Sequence, residues 1–257
     1  MIDIHTHLLP GLDDGSRSED MSLRMLRVAE ETGTTGLVAT PHANPHYTYL
    51  PDEVESLLET FRSRTSVRLY SGCDFHLSHD NLTDALAHPR RYTINHECYL
   101  LIELSDLVIF PNTGDLYTRL EDAGMKMILT HPERNPLLSL RPELIEEWVS
   151  HGRYMQLTTQ SLLGDFGAKA ARFAAWMMER GLVHFIASDA HDPERRPPRL
   201  DLARAWVESN YGAAWAQLLF VDHPQAVLDG KPLELKDYPP RKPKPARAGW
   251  LARWLGR

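Results

Sequence analysis

Short apolar or β-branched runs recur along this chain, separated by longer stretches whose apolar residues repeat with a helical period. The runs occupy residues 1–4, 36–40, 67–75, 99–104, 126–130, 153–157 and 183–188, and predict seven strands. Residues 20–32, 52–64, 114–123, 142–151 and 168–180 carry the helical pattern, as Met21, Leu23, Met25, Leu26 and Val28 illustrate in the first. Capping signals agree: Ser18 or Asp20 stands at the first helix start, and Gly33, Gly124 and Gly181 follow helix ends. Alternating strand and helix means a parallel sheet, and seven such units predict an α/β fold closed, or nearly closed, into a barrel.

No repeat or linker interrupts residues 1–238, which read as one catalytic domain. Residues 239–257 read as a separate tail, in which the proline-rich stretch 239–245 is an extended spacer. Beyond it Trp250, Leu251, Trp254 and Leu255 fall at i, i+1, i+4 and i+5 beside Arg247, Arg253 and Arg257. That spacing predicts a short amphipathic segment after the spacer, through which the tail 241–257 can contact an anionic membrane surface. The competing expectations are a disordered tail and one that packs on a second subunit of a homo-oligomer.

Apolar residues make up 42% of the 257 and charged residues 25%, the composition of an ordinary soluble enzyme. The net charge of −7 hides an uneven distribution. Six of the 28 basic residues lie in the last seventeen positions with no acid among them, so residues 1–240 hold 22 basic against 35 acidic residues, a balance of −13. An acidic body argues against nucleic acid as a partner. Nothing before His5 reads as a signal peptide, and no apolar run approaches the roughly 20 residues that cross a bilayer. A cytoplasmic location is therefore expected, with peripheral contact at the inner face of the membrane open to the tail. Cys73 and Cys98 are then expected as buried thiols rather than a disulfide.

Chemistry gathers at the predicted strand ends. His5 and His7 follow the first strand on one face, His42 follows the second, Asp74 and Glu103 close the third and fourth, His131 follows the fifth, and Asp189 and His191 follow the seventh. In a parallel barrel these ends share one rim, and Asp14 in the first loop can join them. Nine such groups exceed the need of one ion and suit two or three divalent metals. Imidazole and carboxylate donors without thiolate favour manganese, iron or zinc. Paired ions activate water and steady an in-line displacement at phosphorus, so phosphate-ester hydrolysis is the leading chemistry. Arg134, three residues after His131, can hold two phosphate oxygens; otherwise it forms a surface ion pair with Glu133 or Glu143. His76 and His79 read as exposed loop histidines, the alternative being that they compensate for the short carboxylate of Asp74 beside them. No arginine stands six residues after either cysteine and no glycine-rich nucleotide loop occurs, which removes cysteine-phosphatase, kinase and oxidoreductase readings.

Several motifs, taken in order, resemble a known family. They are residues 1–16 (Met-Ile-Asp-Ile-His-Thr-His-Leu-Leu-Pro-Gly-Leu-Asp-Asp-Gly-Ser), Ala39 to His42, Leu101 to Leu104, Thr130 to Asn135, Gln156 with Ser161 to Gly164 and Phe166-Gly167, and Ala187 to His191. Together they resemble the PHP (polymerase and histidinol phosphatase) superfamily, and within it the bacterial manganese-dependent tyrosine-protein phosphatases of capsule and exopolysaccharide loci. The resemblance implies a distorted seven-stranded, TIM-like (β/α) barrel with a trinuclear rim site. It assigns His5, His7, Asp74 and Asp189 to one ion, Asp74, Glu103 and His131 to a second, Asp14, His42 and His191 to a third, and Arg134 to phosphate. One position departs, because the family usually carries glutamate where this chain has Asp74. The implied activity is hydrolysis of phosphotyrosine on protein by a metal-bridging hydroxide, with His42, His191 or metal-bound water as general acid. The implied substrate is an autophosphorylating, membrane-associated bacterial tyrosine kinase in exopolysaccharide or capsule regulation. Competing functions are a small-molecule phosphomonoesterase such as a histidinol-phosphatase-like enzyme, and a weakly active protein that docks on a kinase.

Overall fold

Nine strands, rather than seven, form in the computed structural model, which describes residues 1–235. They are β1 (Ile2–Thr6), β2 (Gly36–Ala39), β3 (His42–Ala43), β4 (Arg68–Ser71), β5 (Asp74–His76), β6 (Tyr99–Glu103), β7 (Lys126–Thr130), β8 (Tyr154–Thr158) and β9 (Phe185–Ala187). The amphipathic tail segment lies outside the described residues.

The two extra strands come from local breaks. Pro41 has no N–H to give to a ladder, so the run that begins as β2 stops and resumes as β3. Gly72 separates β4 from β5, and a Cβ there would lie 2.9 Å from Val38 Cγ1, closer than packed atoms come. The two breaks fall side by side and divide the strands into a three-stranded sheet, β1-β2-β4, and a six-stranded sheet, β3-β5-β6-β7-β8-β9. Every pairing is parallel. Beyond β9 the chain returns to β1: Asp189 N–H donates to His5 C=O at 2.9 Å, His7 N–H donates to Ala190 C=O at 2.8 Å, and Thr6 bridges Ala190 in parallel.

Five helices, Glu19–Glu31, Pro51–Arg62, Thr113–Asp122, Glu143–Ser150 and Gly167–Glu179, fall within two residues of the predicted stretches. Ser18 caps the first, its Oγ accepting from Met21 N–H at 3.2 Å. His79–Ala87, Thr159–Leu163, Asp201–Tyr211 and the C-terminal run from Ala213 to Leu228 are additional. Leu82 and Ala85 are all that His79–Ala87 buries, too narrow a face for periodicity to reveal. Among the described residues no helix is long and apolar enough to cross a membrane, and both cysteines are free thiols, Cys73 buried and Cys98 half-buried.

Alternation along the strands divides the core. Tyr99, Leu101, Ile128, Phe185 and Ala187 belong to an inner cluster, while Leu100, Ile102, Met127, Leu129 and Ile186 pack in the outer cluster, which also takes in buried helix residues such as Leu58, Ile145 and Met177. Glu103 continues the inner set of β6, and Asp189 lies two residues beyond Ala187. β1 carries one extra residue relative to β2 between Asp3 and Thr6. Such a bulge reverses the alternation, so His5 and His7 join the side on which Ile2 and Ile4 lie below them.

Candidate metal centre

The eight residues singled out at the predicted strand ends, and Asp14 from the first loop, converge at the C-terminal ends of the strands. His7, Asp14, His42 and His191 form one group, His5, Asp74 and His131 a second, and His5, His7 and Asp189 a third, with donor atoms in each group within 4.8 Å of one another. Glu103 Oε1 lies 3.5 Å from His131 Nε2, and Oε2 lies 3.6 Å from His42 Nδ1. The grouping differs from the expected one in three ways: His7 also approaches Asp14, His5 also joins Asp74 and His131, and Glu103 also faces His42 and His76.

The spacing suits shared cations better than hydrogen bonds. His5 Nε2 is 3.6 Å from both Asp74 Oδ2 and Asp189 Oδ1, His7 Nε2 is 3.3 Å from Asp189 Oδ1, and Asp14 Oδ1 is 3.4 and 3.5 Å from His42 and His191 Nε2. Two donors about 2.1 Å from one ion stand roughly 3.0–3.4 Å apart in octahedral or tetrahedral geometry. Asp74 is wholly buried, yet neither carboxylate oxygen has an aligned hydrogen-bond donor. An ionised carboxylate is not left so unless a cation completes it.

Hydrogen bonds on the far side of the imidazoles fix which nitrogen faces inward. Gln156 donates Nε2–H to Leu157 C=O at 2.7 Å, which turns its Oε1 toward His5 Nδ1 at 2.9 Å; Nδ1 therefore carries the proton. Asp13 Oδ2 lies 2.6 Å from His7 Nδ1 and sets the same tautomer. Asp13 is itself held by the N–H groups of Gly15 and His42. Both Nε2 lone pairs then face each other at 3.3 Å, and one must be neutralised by a proton or a cation. The protonation preferences say the same. Burial opposes charge on His7 and His42, but Asp13 outweighs it at the first and pushes it up to about 9, while Asp14 and Asp74 push the second up to about 11. Burial would raise Asp74 and Asp189, yet His5 with His42 holds the first well below the carboxylate range, and His5, His7 and Arg196 hold the second there. Burial and Arg134 pull His131 down to about 4. The donor set fits divalent cations bound by nitrogen and oxygen.

His131 and Asp189 have φ of +31° and +51°, in the region L-residues avoid. Such backbone is retained where neighbouring structure over-determines it, as at a site that aims side chains.

Arg134 does not pair with Glu133 or Glu143. Its Nη1 contacts Asp189 Oδ2, and its guanidinium stacks 4.6 Å from the Phe166 ring centroid. Glu133 instead turns inward and accepts from Thr158 N–H at 2.9 Å, tying the loop to the end of β8. A second arginine, unforeseen in the sequence, stands beside the first: Arg196 Nη2 reaches Asp189 Oδ2 at 2.5 Å, its guanidinium lies 5.7 Å from Phe166, and its buried Nε has no partner. A cavity of about 290 Å³ opens at Arg134 and is walled by Phe166, Pro136 and Lys169. A cavity of about 380 Å³ near Leu218, His223 and Lys231 touches none of these groups. His76, expected in a loop, closes β5 with its ring against Glu103, and His79 opens a helix.

Comparison with known proteins follows the same lines. The family described as "Capsular polysaccharide synthesis, CpsB/CapC" matches residues 1–229. CapC of Staphylococcus aureus is 33% identical over 203 residues, covering 77% of this chain and 79% of that protein. Tyrosine-protein phosphatase YwqE of Bacillus subtilis is 30% identical over 225 residues, covering 85% and 88%. A crystal structure from work on Bacillus subtilis YwqE and Streptococcus pneumoniae CpsB, described as "unique metal-dependent tyrosine phosphatases", superposes with a TM-score of 0.84 at 28% identity. It covers 96% of this chain and 100% of that one.

Proposed function

We infer the function from one premise: this chain belongs to the capsular polysaccharide synthesis family CpsB/CapC, and like its named relatives it is a metal-dependent protein-tyrosine phosphatase. Beyond that, we propose that His5, His7, Asp14, His42, Asp74, Glu103, His131, Asp189 and His191 hold two or three divalent ions, with manganese preferred over iron or zinc. The observation that carries this assignment is Asp74, a wholly buried carboxylate with no aligned hydrogen-bond donor, flanked by the His42 and His5 imidazoles at 3.1 and 3.6 Å. When bound, the ions activate water as a nucleophile and offset charge on the phosphoryl group. The two sheets are then the wall of one distorted barrel of seven strand positions, β2 with β3 and β4 with β5 each counting once.

The chain's own groups do the rest. Arg134 keeps guanidinium N–H groups beyond the one spent on Asp189, and with Arg196 it clamps the phosphoryl oxygens. Asp189 aims both arginines, and Phe166 supports their planes. The cavity at Arg134 accepts the aromatic ring. The proton for the leaving oxygen comes from His42 or His191, whichever flanks Asp14 without its Nε2 on an ion, or from water at the centre. That help is modest for a phenol of pKa about 10. The substrate is a phosphotyrosyl protein, a membrane-associated kinase in the cytoplasm being the one the notion of a basic membrane-facing tail favours. Liposome sedimentation with and without residues 241–257 tests that contact, and equal pelleting removes it.

Exhaustive chelation is expected to abolish turnover of a phosphotyrosyl peptide, and added Mn²⁺ to restore it. Full turnover after chelation would sink the mechanism. A higher kcat/KM on histidinol phosphate than on the peptide would move the assignment to a small-molecule esterase, since fold leaves substrate open.

A further inference from the structure

Asp74 and His76 are two residues apart on β5, so both side chains leave the same face of the sheet. The register of β5 on β6 sets His76 opposite Glu103, and that of β3 on β5 sets His42 opposite Asp74. His76 Nε2 contacts Glu103 Oε2, and the ring stands edge-on to His42 with centroids 6.0 Å apart. Donor atoms of His42, His76 and Glu103 all lie within 4.8 Å of one another. The wholly buried Asp74 carboxylate, lacking any aligned hydrogen-bond donor, borders this group: its Oδ2 is 3.1 Å from His42 Nδ1. The His76 backbone is fixed rather than loop-like. Asn81 Nδ2 donates to both His76 C=O, at 3.0 Å, and Ala43 C=O, at 2.8 Å, so one side chain clips the ends of β5 and β3.

We propose that His76 is a metal ligand, its Nε2 entering the coordination of the ion that Glu103 holds rather than serving only as a hydrogen-bond donor to that carboxylate. The ligand is a first-row divalent cation that accepts nitrogen and oxygen donors. The proposal rests on the metal-centre reading above. It adds a tenth donor on the open side of the centre, where the His76 side chain is a quarter exposed.

Ligand and hydrogen-bond donor respond oppositely to substitution. Glutamine keeps an N–H for Glu103 but is a poor ligand; glutamate reaches as far as the imidazole Nε2 and is a good ligand but, without a cation, repels Glu103. The test is metal titration of the full chain with Mn²⁺ alone, reading ions per chain and the dissociation constant of the weakest-held ion. Visible spectra of the Co²⁺-loaded proteins give a second readout. His76→Gln is expected to weaken that ion at least tenfold and alter the Co²⁺ bands, whereas His76→Glu holds it within about threefold of wild type. The inference is overturned if His76→Gln binds like wild type, or if His76→Glu binds as weakly as His76→Gln or more weakly. Failure of the underlying reading shows differently, as a wild-type chain that takes up no metal, and it overturns the inference too. Thermal melting of the chelated variants identifies any that fail to fold, and the Co²⁺ spectrum of His76→Ala then decides: altered bands support the inference and wild-type bands overturn it.

Discussion

Replacing Gln156 by methionine should loosen the metal centre without touching a ligand. Gln156 is wholly buried, and its two polar ends do separate work: Nε2 holds the Leu157 carbonyl at 2.7 Å, and Oε1 takes the His5 Nδ1 proton at 2.9 Å. Methionine matches the length but neither hydrogen bond. His5 then loses the acceptor that keeps its proton on Nδ1 and can carry it on Nε2, where it blocks coordination. Loss of such an outer partner typically costs 10–100-fold in metal affinity, or about 1.4–2.7 kcal/mol. Two buried groups left unsatisfied should also lower the stability of the chelated protein by about 1–3 kcal/mol. Gln156→Glu keeps an acceptor for Nδ1, so its affinity should stay near wild type or rise. Calorimetric titration with Mn²⁺ measures the affinities, and urea unfolding in excess chelator measures the stability. Wild-type affinity in Gln156→Met, or an equal fall in Gln156→Glu, would refute the tautomer argument.

Other expectations follow from the same geometry. Arg134→Ala should lower kcat/KM on a phosphotyrosyl peptide about 100–1000-fold, as loss of a preorganised donor does, with metal content unchanged; Arg134→Lys should not restore it, and lost metal would show a structural role instead. Gly15→Ala puts a Cβ 2.3 Å from both Cβ and the carbonyl oxygen of His7, so the loop must move and metal content should fall; a chain that loads and melts like wild type would contradict this. His184 is buried with its Nδ1 accepting from Met155 N–H at 3.1 Å, and burial followed by the neighbouring His223 pulls it down to about 3. Between about pH 6.5 and 3 the unfolded chain binds a proton that the folded chain refuses. This contribution is therefore whole above pH 6.5 and lost at about 1.4 kcal/mol per pH unit as pH falls through that window, about 2 kcal/mol by pH 5. His184→Asn retains an acceptor but cannot titrate, so denaturation between pH 7 and 5 should show a flatter loss than wild type, and equal slopes would refute the assignment.

The candidate ligands were legible because chain direction alone sends parallel strand ends to one rim, and eight of the nine His, Asp and Glu side chains stand at such ends, with Asp14 in the first loop as the ninth. What supports them was less so. Asp13 and Asp14 are adjacent and chemically identical, yet Asp13 faces His7 Nδ1 and Asp14 faces His42 and His191, a difference of backbone direction that composition cannot encode. Arg195 and Arg196 pose the same problem, and only the turn after Asp192 sends the second to Asp189. His76 was misplaced for a specific reason. Residues 67–75 read as one strand, which left His76 beyond its end, whereas the break at Gly72 begins a new strand at Asp74 that carries His76 on its inner face. The bulge in β1 left no apolar signature, because His5 and His7 share a face with or without it, and only the bulge turns that face to the side of Ile2 and Ile4.

The hydrogen bonds between β1 and the stretch after β9 also set an order of events at synthesis. Asp3 accepts from Ser188 N–H across 185 residues, and His5 and His7 exchange backbone hydrogen bonds with Asp189 and Ala190. The first ligands to leave the ribosome thus wait for the last ones. At 5–20 residues per second that interval is roughly 10–40 s. During it the N-terminal histidines can offer an ion no more than a loose grip, so metal loading is a property of the finished chain and the metal pool it meets after release.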